Sequence, residues 1–288
     1  MKFLGFIFFY IFSMLVGLLP FPLIYLLSDF SSFILRKLVK YRRGVIENNL
    51  TGSFPGINKE EFERISRRFY LNLADITLEG IKAFTMSGRQ LNARYRVLNP
   101  EIVNPYLEAG RSVICVTGHY GNWEWGALSP PIQIPWDFVG FYKPLKYSRL
   151  DRFVRNNRSR FGTNLSSIRD TTTTFEANRG KVVIYLMAAD QSPSNRERAY
   201  WINFMNRDTA FLHGPERHAR INNHLVVFAA IRRVKRGFYE LNLSIITDDP
   251  SSLADGEITR QYANKMESLI REDPANWLWS HKRWKLIR

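Results

Sequence analysis

One ten-residue stretch concentrates the residue types that do chemistry: Thr117-Gly118-His119-Tyr120-Gly121-Asn122-Trp123-Glu124-Trp125-Gly126. It follows an apolar, β-branched run, 112–117, and sites in open α/β sheets lie at the carboxyl ends of strands. His119 and Glu124 are five apart, about 500° around a continuous helix, so one helix does not bring them together. They converge if His119 lies on the strand-to-helix loop and Glu124 in the helix's first turn, with Gly118 and Gly121 giving the loop its freedom. A histidine held by a carboxylate is a general base, able to take the proton of a hydroxyl that then attacks a carbonyl. The plainer alternative is a loop histidine bonded to a neighbouring carboxylate. No Gly-x-Ser-x-Gly elbow occurs and Cys115 falls mid-strand, which argues against a covalent acyl-enzyme.

The surrounding pattern alternates. Runs at 112–117, 137–142, 181–187, 225–231 and 238–246 read as strands; 147–161, 171–179, 214–223 and 257–272 read as helices. The last run places Tyr239, Leu241, Leu243 and Ile245 on one side, as in an edge strand. Residues 30–90 read as helical: Asn58 and Glu61 resemble a capping box, and Phe62, Ile65, Phe69, Leu73 and Ile76 recur at three or four. The expected fold class is α/β, a mixed central sheet flanked by helices and preceded by an N-terminal membrane-associated helical region. The expected segments are an apolar membrane anchor (1–28), a helical region (29–95) and an α/β catalytic region (96–288).

The anchor rests on the absence of charge between Lys2 and Asp29. Pro20 and Pro22 divide that run, leaving Phe3–Leu19 as the longest helix, marginal for a bilayer span. No small-x-small site marks it as a cleaved signal. Arg36, Lys37, Lys40, Arg42 and Arg43 follow, which favours the cytoplasmic side and attracts anionic lipid. The alternative is a buried core helix. The 288 residues, 45% hydrophobic and 23% charged, suffice for a real core and exclude a disordered chain. With 41 Lys and Arg against 26 Asp and Glu, the net charge of +15 calls for anionic partners: nucleic acid, phospholipid, phosphorylated substrates or an acidic carrier. A single cysteine excludes an intrachain disulfide.

Other features have two readings each. Arg149, Arg152, Arg155 and Arg158 form a basic helical stripe that either docks lipid phosphates or an acidic carrier, or is simply solvated. Asp190-Gln191, at a strand end, is either a second wall of the site or a turn. The spacing of His213, His218 and His224 does not suit a metal. Trp277, Trp279 and Trp284 among basic residues suit a membrane interface, base stacking or plain core packing.

The segment Gly118-His119-Tyr120-Gly121-Asn122-Trp123-Glu124 resembles the His-x4-acid motif of bacterial late acyltransferases of lipid A biosynthesis, within a wider superfamily that includes glycerolipid acyltransferases. Supporting blocks follow in order: Tyr41-Arg42-Arg43 with Asn48-Asn49-Leu50, Phe141-Tyr142-Lys143-Pro144-Leu145, Ala189-Asp190-Gln191, Leu212-His213-Gly214-Pro215-Glu216, and the closing Pro274 to Lys285 with its Trp-x-Trp-x-His core. Glu124 matches the lipid A branch, whereas glycerolipid enzymes usually carry Asp and a Phe-Pro-Glu-Gly-Thr-Arg block absent here. Lys143 stands where many members have Arg, a point charge in place of a fork.

The resemblance implies an O-acyltransferase that moves a fatty acyl chain from an acyl carrier protein or acyl-CoA thioester to a hydroxyl of a lipid A precursor. It implies His119 as base and Glu124 as its orienting acid. Backbone N–H groups near the Gly118–Gly121 turn, or Lys143, would stabilise the oxyanion. Gly121, Asn122, Lys143, Arg160, Asp190, Gln191, Gly214 and Arg217 are the expected substrate-binding residues. The enzyme would act at the cytoplasmic side of a bacterial inner membrane, with membrane as partner, no nucleic acid, and no metal or other cofactor. The alternatives are an acyltransferase for another lysolipid or glycolipid, and a non-catalytic, basic, membrane-tethered binding protein.

Overall fold

The computed structural model describes residues 2–288, with side chains from Leu4 onward, so Met1 of the expected anchor segment lies outside the described residues. The chain runs α1 (Lys2–Leu18), α2 (Phe21–Phe33), α3 (Arg43–Ser53), α4 (Lys59–Lys82), α5 (Gly88–Asn92), β1 (Tyr95–Val97), α6 (Asn104–Glu108), β2 (Val113–Thr117), α7 (Trp123–Gly126), α8 (Pro130–Gln133) and β3 (Asp137–Tyr142). It continues through α9 (Ser148–Ser159), β4 (Thr163–Ser167), α10 (Thr171–Ala177), β5 (Val183–Ala188), β6 (Ala199–Phe204), β7 (Arg207–Leu212), α11 (Gly214–Asn222), β8 (Leu225–Lys235), β9 (Phe238–Thr247) and α12 (Glu257–Glu272).

Seven of the described strands form one mixed sheet in the order β1-β9-β8-β2-β5-β3-β4, and β6 and β7 pair separately as an antiparallel hairpin. Sheet neighbours are parallel except β8 and β9. Alternating side chains of β2 feed two cores: Ile114 and Val116 join Tyr185, Phe228 and Trp277, while Val113 and Cys115 join Trp125, Phe138 and Leu241. β9 departs from the edge position that its alternation suggested, because β1 covers it through Tyr95↔Tyr239 pairing. Three residues are too few for β1 to show a period, and the polar β4 lacks an apolar run.

The described residues include no helix long and apolar enough to cross a membrane. The extended Pro20 separates α1 from α2, and the 17 residues of α1 reach only about 26 Å at 1.5 Å per residue. Both helices pack on α4. The carbonyls at the end of α1 are taken up by Lys82, whose Nζ donates to Gly17 at 2.5 Å and Leu19 at 2.9 Å, and by the Thr85 hydroxyl.

Helix α4 starts on the Asn58 side chain, which accepts the Glu61 N–H at 2.8 Å. Its apolar face buries Ile65, Phe69 and Ile76, as the periodicity predicts. A second buried stripe is polar: Asn72, Asp75, Glu79 and Lys82, again spaced three or four apart. Asp75 accepts from Ser28 Oγ (2.6 Å), Arg233 Nη2 (2.5 Å) and Arg236 Nη2 (2.7 Å), joining α2, the end of β8 and the β8–β9 turn to α4. Asp75→Ala strands the largely buried Arg233 and is expected to cost about 3–5 kcal/mol. Urea unfolding followed by circular dichroism measures it; a loss below about 1 kcal/mol would show the network to be dispensable.

Candidate active site

Strands β2 and β5 run parallel with Thr117 opposite Ala188. Two residues beyond each partner lie His119 and Asp190, so the register itself carries both to the same carboxyl edge of the sheet. Asp190 Oδ1 accepts from His119 Nδ1 at 2.7 Å, and Oδ2 accepts from the His119 backbone N–H and from Trp277 Nε1, both at 2.9 Å. Gly118 makes this approach possible, since a Cβ there would lie 3.2 Å from Asp190 Cγ and under 3 Å from Met266.

The carboxylate is acceptor-only, so it places the imidazole proton on Nδ1 and makes Nε2 the acceptor; that lone pair takes the Gln191 amide here and can serve as base once the amide turns to substrate. Burial alone would favour the neutral acid, yet the His119 charge and the hydrogen bonds from His119 and Trp277 hold Asp190 down at about 2. For His119, burial disfavours the charged ring, but the Asp190 charge, its hydrogen bond and the Glu124 charge together raise it above its ordinary value.

The closing Trp-rich segment seals this turn. Gly121 N–H donates to Asn276 O at 3.0 Å and Leu278 N–H to His119 O at 3.1 Å. Trp277 and Trp279 are buried, so of the readings open to the aromatic tail the core one holds for these two. Gly121 has φ +58, and a Cβ there would meet Ile231 at 2.8 Å.

The expected His119–Glu124 hydrogen bond is replaced by His119–Asp190. Glu124 lies in the first turn of α7, where Arg158 of α9 grips it through Nε at 3.0 Å and Nη2 at 2.6 and 2.7 Å. Glu124 is thus bonded to Arg158, and its charge is among the influences that raise the His119 ring. Trp123 bridges the two groups, its ring 5.4 Å from the imidazole centroid at 61°. Beside it opens a cavity of about 240 Å³, lined by Phe9 of α1, Gly80 and Ile81 of α4, Phe84 just after it, Trp123, Glu124 and Leu128, and Val154 and Arg158 of α9.

Of the other expected residues, Gln191 joins the site, its amide Nε2 3.1 Å from His119 Nε2. Asn122 is fully buried and faces Glu79 and the α7 N-terminus instead of the site's surface. Arg160 donates to the carbonyls of Phe84 (3.2 Å) and Met86, which makes it a tie between segments. Lys143 is exposed past the end of β3, and Arg217 is exposed on α11, which Gly214 opens. The bonds around His119 come from Asp190 and Gln191, not from these. The His119 and Gly121 N–H groups are already committed to Asp190 and Asn276. His218 stacks flat on Phe175 with centroids 4.1 Å apart. Among the described residues no three His, Cys, Asp or Glu side chains gather as a metal site.

Compared with known proteins, residues 2–286 match the model of the bacterial lipid A biosynthesis acyltransferase family. The chain is also similar to the lipid A biosynthesis lauroyltransferase of Escherichia coli (strain K12), 24% identical over 274 residues, covering 94% of this chain and 88% of that protein.

The two carboxylates are told apart by pH. The acid limb of kcat/KM should lie above 6.5, the ordinary histidine range. Asp190→Asn should move it to lower pH and cut the plateau by about 100-fold or more. Glu124→Gln should move it less, and a larger shift from Glu124→Gln would reverse the assignment.

Proposed function

The chain belongs to the bacterial lipid A biosynthesis acyltransferases, and on that premise we propose that it transfers a fatty acyl chain from an acyl carrier protein or CoA thioester to a hydroxyl of a lipid A precursor. The single observation that carries this reading is the His119–Asp190 pair against the Trp123 ring, which in turn lines a largely apolar cavity. His119 Nε2 takes the proton of the acceptor hydroxyl as its oxygen attacks the thioester carbonyl. Asp190 fixes the tautomer and steadies the imidazolium that forms. Collapse of the tetrahedral intermediate breaks the C–S bond, and the imidazolium returns its proton to the departing thiolate. Gln191, within reach of Nε2, is the side-chain donor best situated for the developing oxyanion.

The cavity between α1, α4 and α9 would hold the acyl chain, with the Glu124–Arg158 pair at its polar end. Arg152 and Arg155 lie exposed on α9 and complement an anionic donor. The N-terminal helices would lie in the membrane interface. Phe8, Leu15, Leu18, Leu26, Phe30 and Phe33 are exposed, too many large apolar side chains on two short helices for a water-facing surface. The basic run from Arg36 to Arg43 fits the cytoplasmic face of an inner membrane.

The test uses purified full-length protein in detergent, a C12 acyl-carrier-protein thioester and a hydroxylated lipid A precursor, with lipid products read by mass spectrometry. His119→Ala should abolish transfer, as should Glu124→Ala by releasing Arg158; near-normal turnover by His119→Ala would refute the mechanism. Gly80 lines the cavity with no atom nearer than 3.5 Å to an added Cβ. Gly80→Ala should therefore be accommodated and shift preference toward shorter donors. Unchanged chain preference would remove the cavity from the account.

A further inference from the structure

We infer that Glu79, in the middle of α4, is a positioning residue that sets the catalytic turn and ties it to helix α2. The inference rests on the reading of His119 as base, but its geometry is independent of that reading. Glu79 is fully buried and accepts from three side chains that lie on three different segments. Oε2 accepts from Asn122 Nδ2 at 2.7 Å and from Tyr239 Oη of β9 at 2.8 Å; Oε1 accepts from Tyr25 Oη of α2 at 3.0 Å. Its backbone carbonyl accepts from Trp125 Nε1 at 3.0 Å.

Asn122 is the link to the chemistry. Its Nδ2 is spent on Glu79, and its Oδ1 accepts the Trp125 N–H at 2.9 Å, which starts α7. The first turn of α7 presents Trp123 to the His119 ring and Glu124 to Arg158. A displacement of Asn122 therefore moves both neighbours of the base, three residues away along the chain. Tyr25 extends the same network outward. It sits on the helix whose Leu26 and Phe30 are exposed, so the placement of α2 is read by the carboxylate that holds the turn.

Glu79 lies deep and beside Asp75, and burial together with that neighbour pushes it up to about 7. The neutral Glu79→Gln variant is accordingly compatible with the fold; what it loses is an acceptor. The amide either presents its nitrogen to the Asn122 amide nitrogen, donor against donor, or turns over and presents it to Tyr25 Oη, whose O–H then loses its acceptor; in both orientations one of the three bonds breaks. Asn122→Asp restores a donor–acceptor pair from the other side while still accepting from Trp125.

The experiment is this exchange of partners, in the full-length protein, with the C12 carrier-protein thioester and lipid A precursor. Each single variant should lower kcat by at least about tenfold with KM within about twofold, and the double variant should return kcat to within about threefold of the original. Hydrogen exchange of the peptide spanning 118–126, read without substrate, should quicken in each single variant and recover in the double. Tyr25→Phe, which removes one hydroxyl and no charge, should quicken exchange in the same peptide. A double variant no better than the worse single, exchange at 118–126 that ignores Tyr25→Phe, or exchange that changes with no change in kcat would each overturn the inference. The exchange arm involves no acyl transfer, so failure of the catalytic reading leaves it interpretable.

Discussion

A carboxylate with almost no access to water sits at the centre of this molecule, and the site depends on how it is satisfied. Taking such a charge out of water costs several kcal/mol unless donors replace the lost hydration. Asp190 finds three: the His119 ring, the His119 amide and the Trp277 indole. Two come from the end of β2, beside the β5 end that carries Asp190 itself, and the third from the far end of the chain. One electrostatic requirement thus forces the Gly118–Gly121 loop, β5 and the closing segment into a single geometry, in which His119 Nε2 faces the Gln191 amide.

The same rule repeats through the fold. Asp75 and Glu216 are equally buried, and each gathers segments remote in sequence. Glu216 accepts from the Gly256 and Thr259 N–H groups at 2.7 and 2.9 Å and so holds the start of α12. Asp75 draws α2, the end of β8 and the β8–β9 turn onto α4. An unpartnered buried carboxylate is far costlier than a lost surface contact, so these junctions specify which helices lie where more sharply than apolar packing alone.

The N-terminal helices consequently belong to the same body as the sheet. Phe153 of α9 packs against Phe6, Phe9 and Tyr10 of α1 and against Phe84 after α4. The helix that carries Arg158 to Glu124 is thus buttressed by the helix with the most apolar surface. Gly17 lets α1 come close to Thr85, where a Cβ would fall 2.6 Å from Cγ2. The apolar surface of α1, the cavity wall and the Glu124–Arg158 pair are therefore continuous.

Local pattern was enough for much of this. The β-branched run ending at Thr117, the cap at Asn58, the proline break after α1 and the 257–272 helix are all set by interactions within a few residues, and the chain carries them openly. The polar stripe at 72, 75, 79 and 82 was equally present in the spacing, but an apolar-face reading passes over it. The partner of His119 was not available in that way. Glu124 is near in sequence, whereas Asp190 is 71 residues on and comes alongside only through the β2–β5 register. Likewise, nothing local distinguishes Arg158, which grips Glu124, from Arg160, which ties down the Phe84 and Met86 carbonyls. Helices and strands follow from neighbours along the chain; the choice of which carboxylate meets which cation or imidazole follows from strand order and burial, and those exist only once the chain has folded.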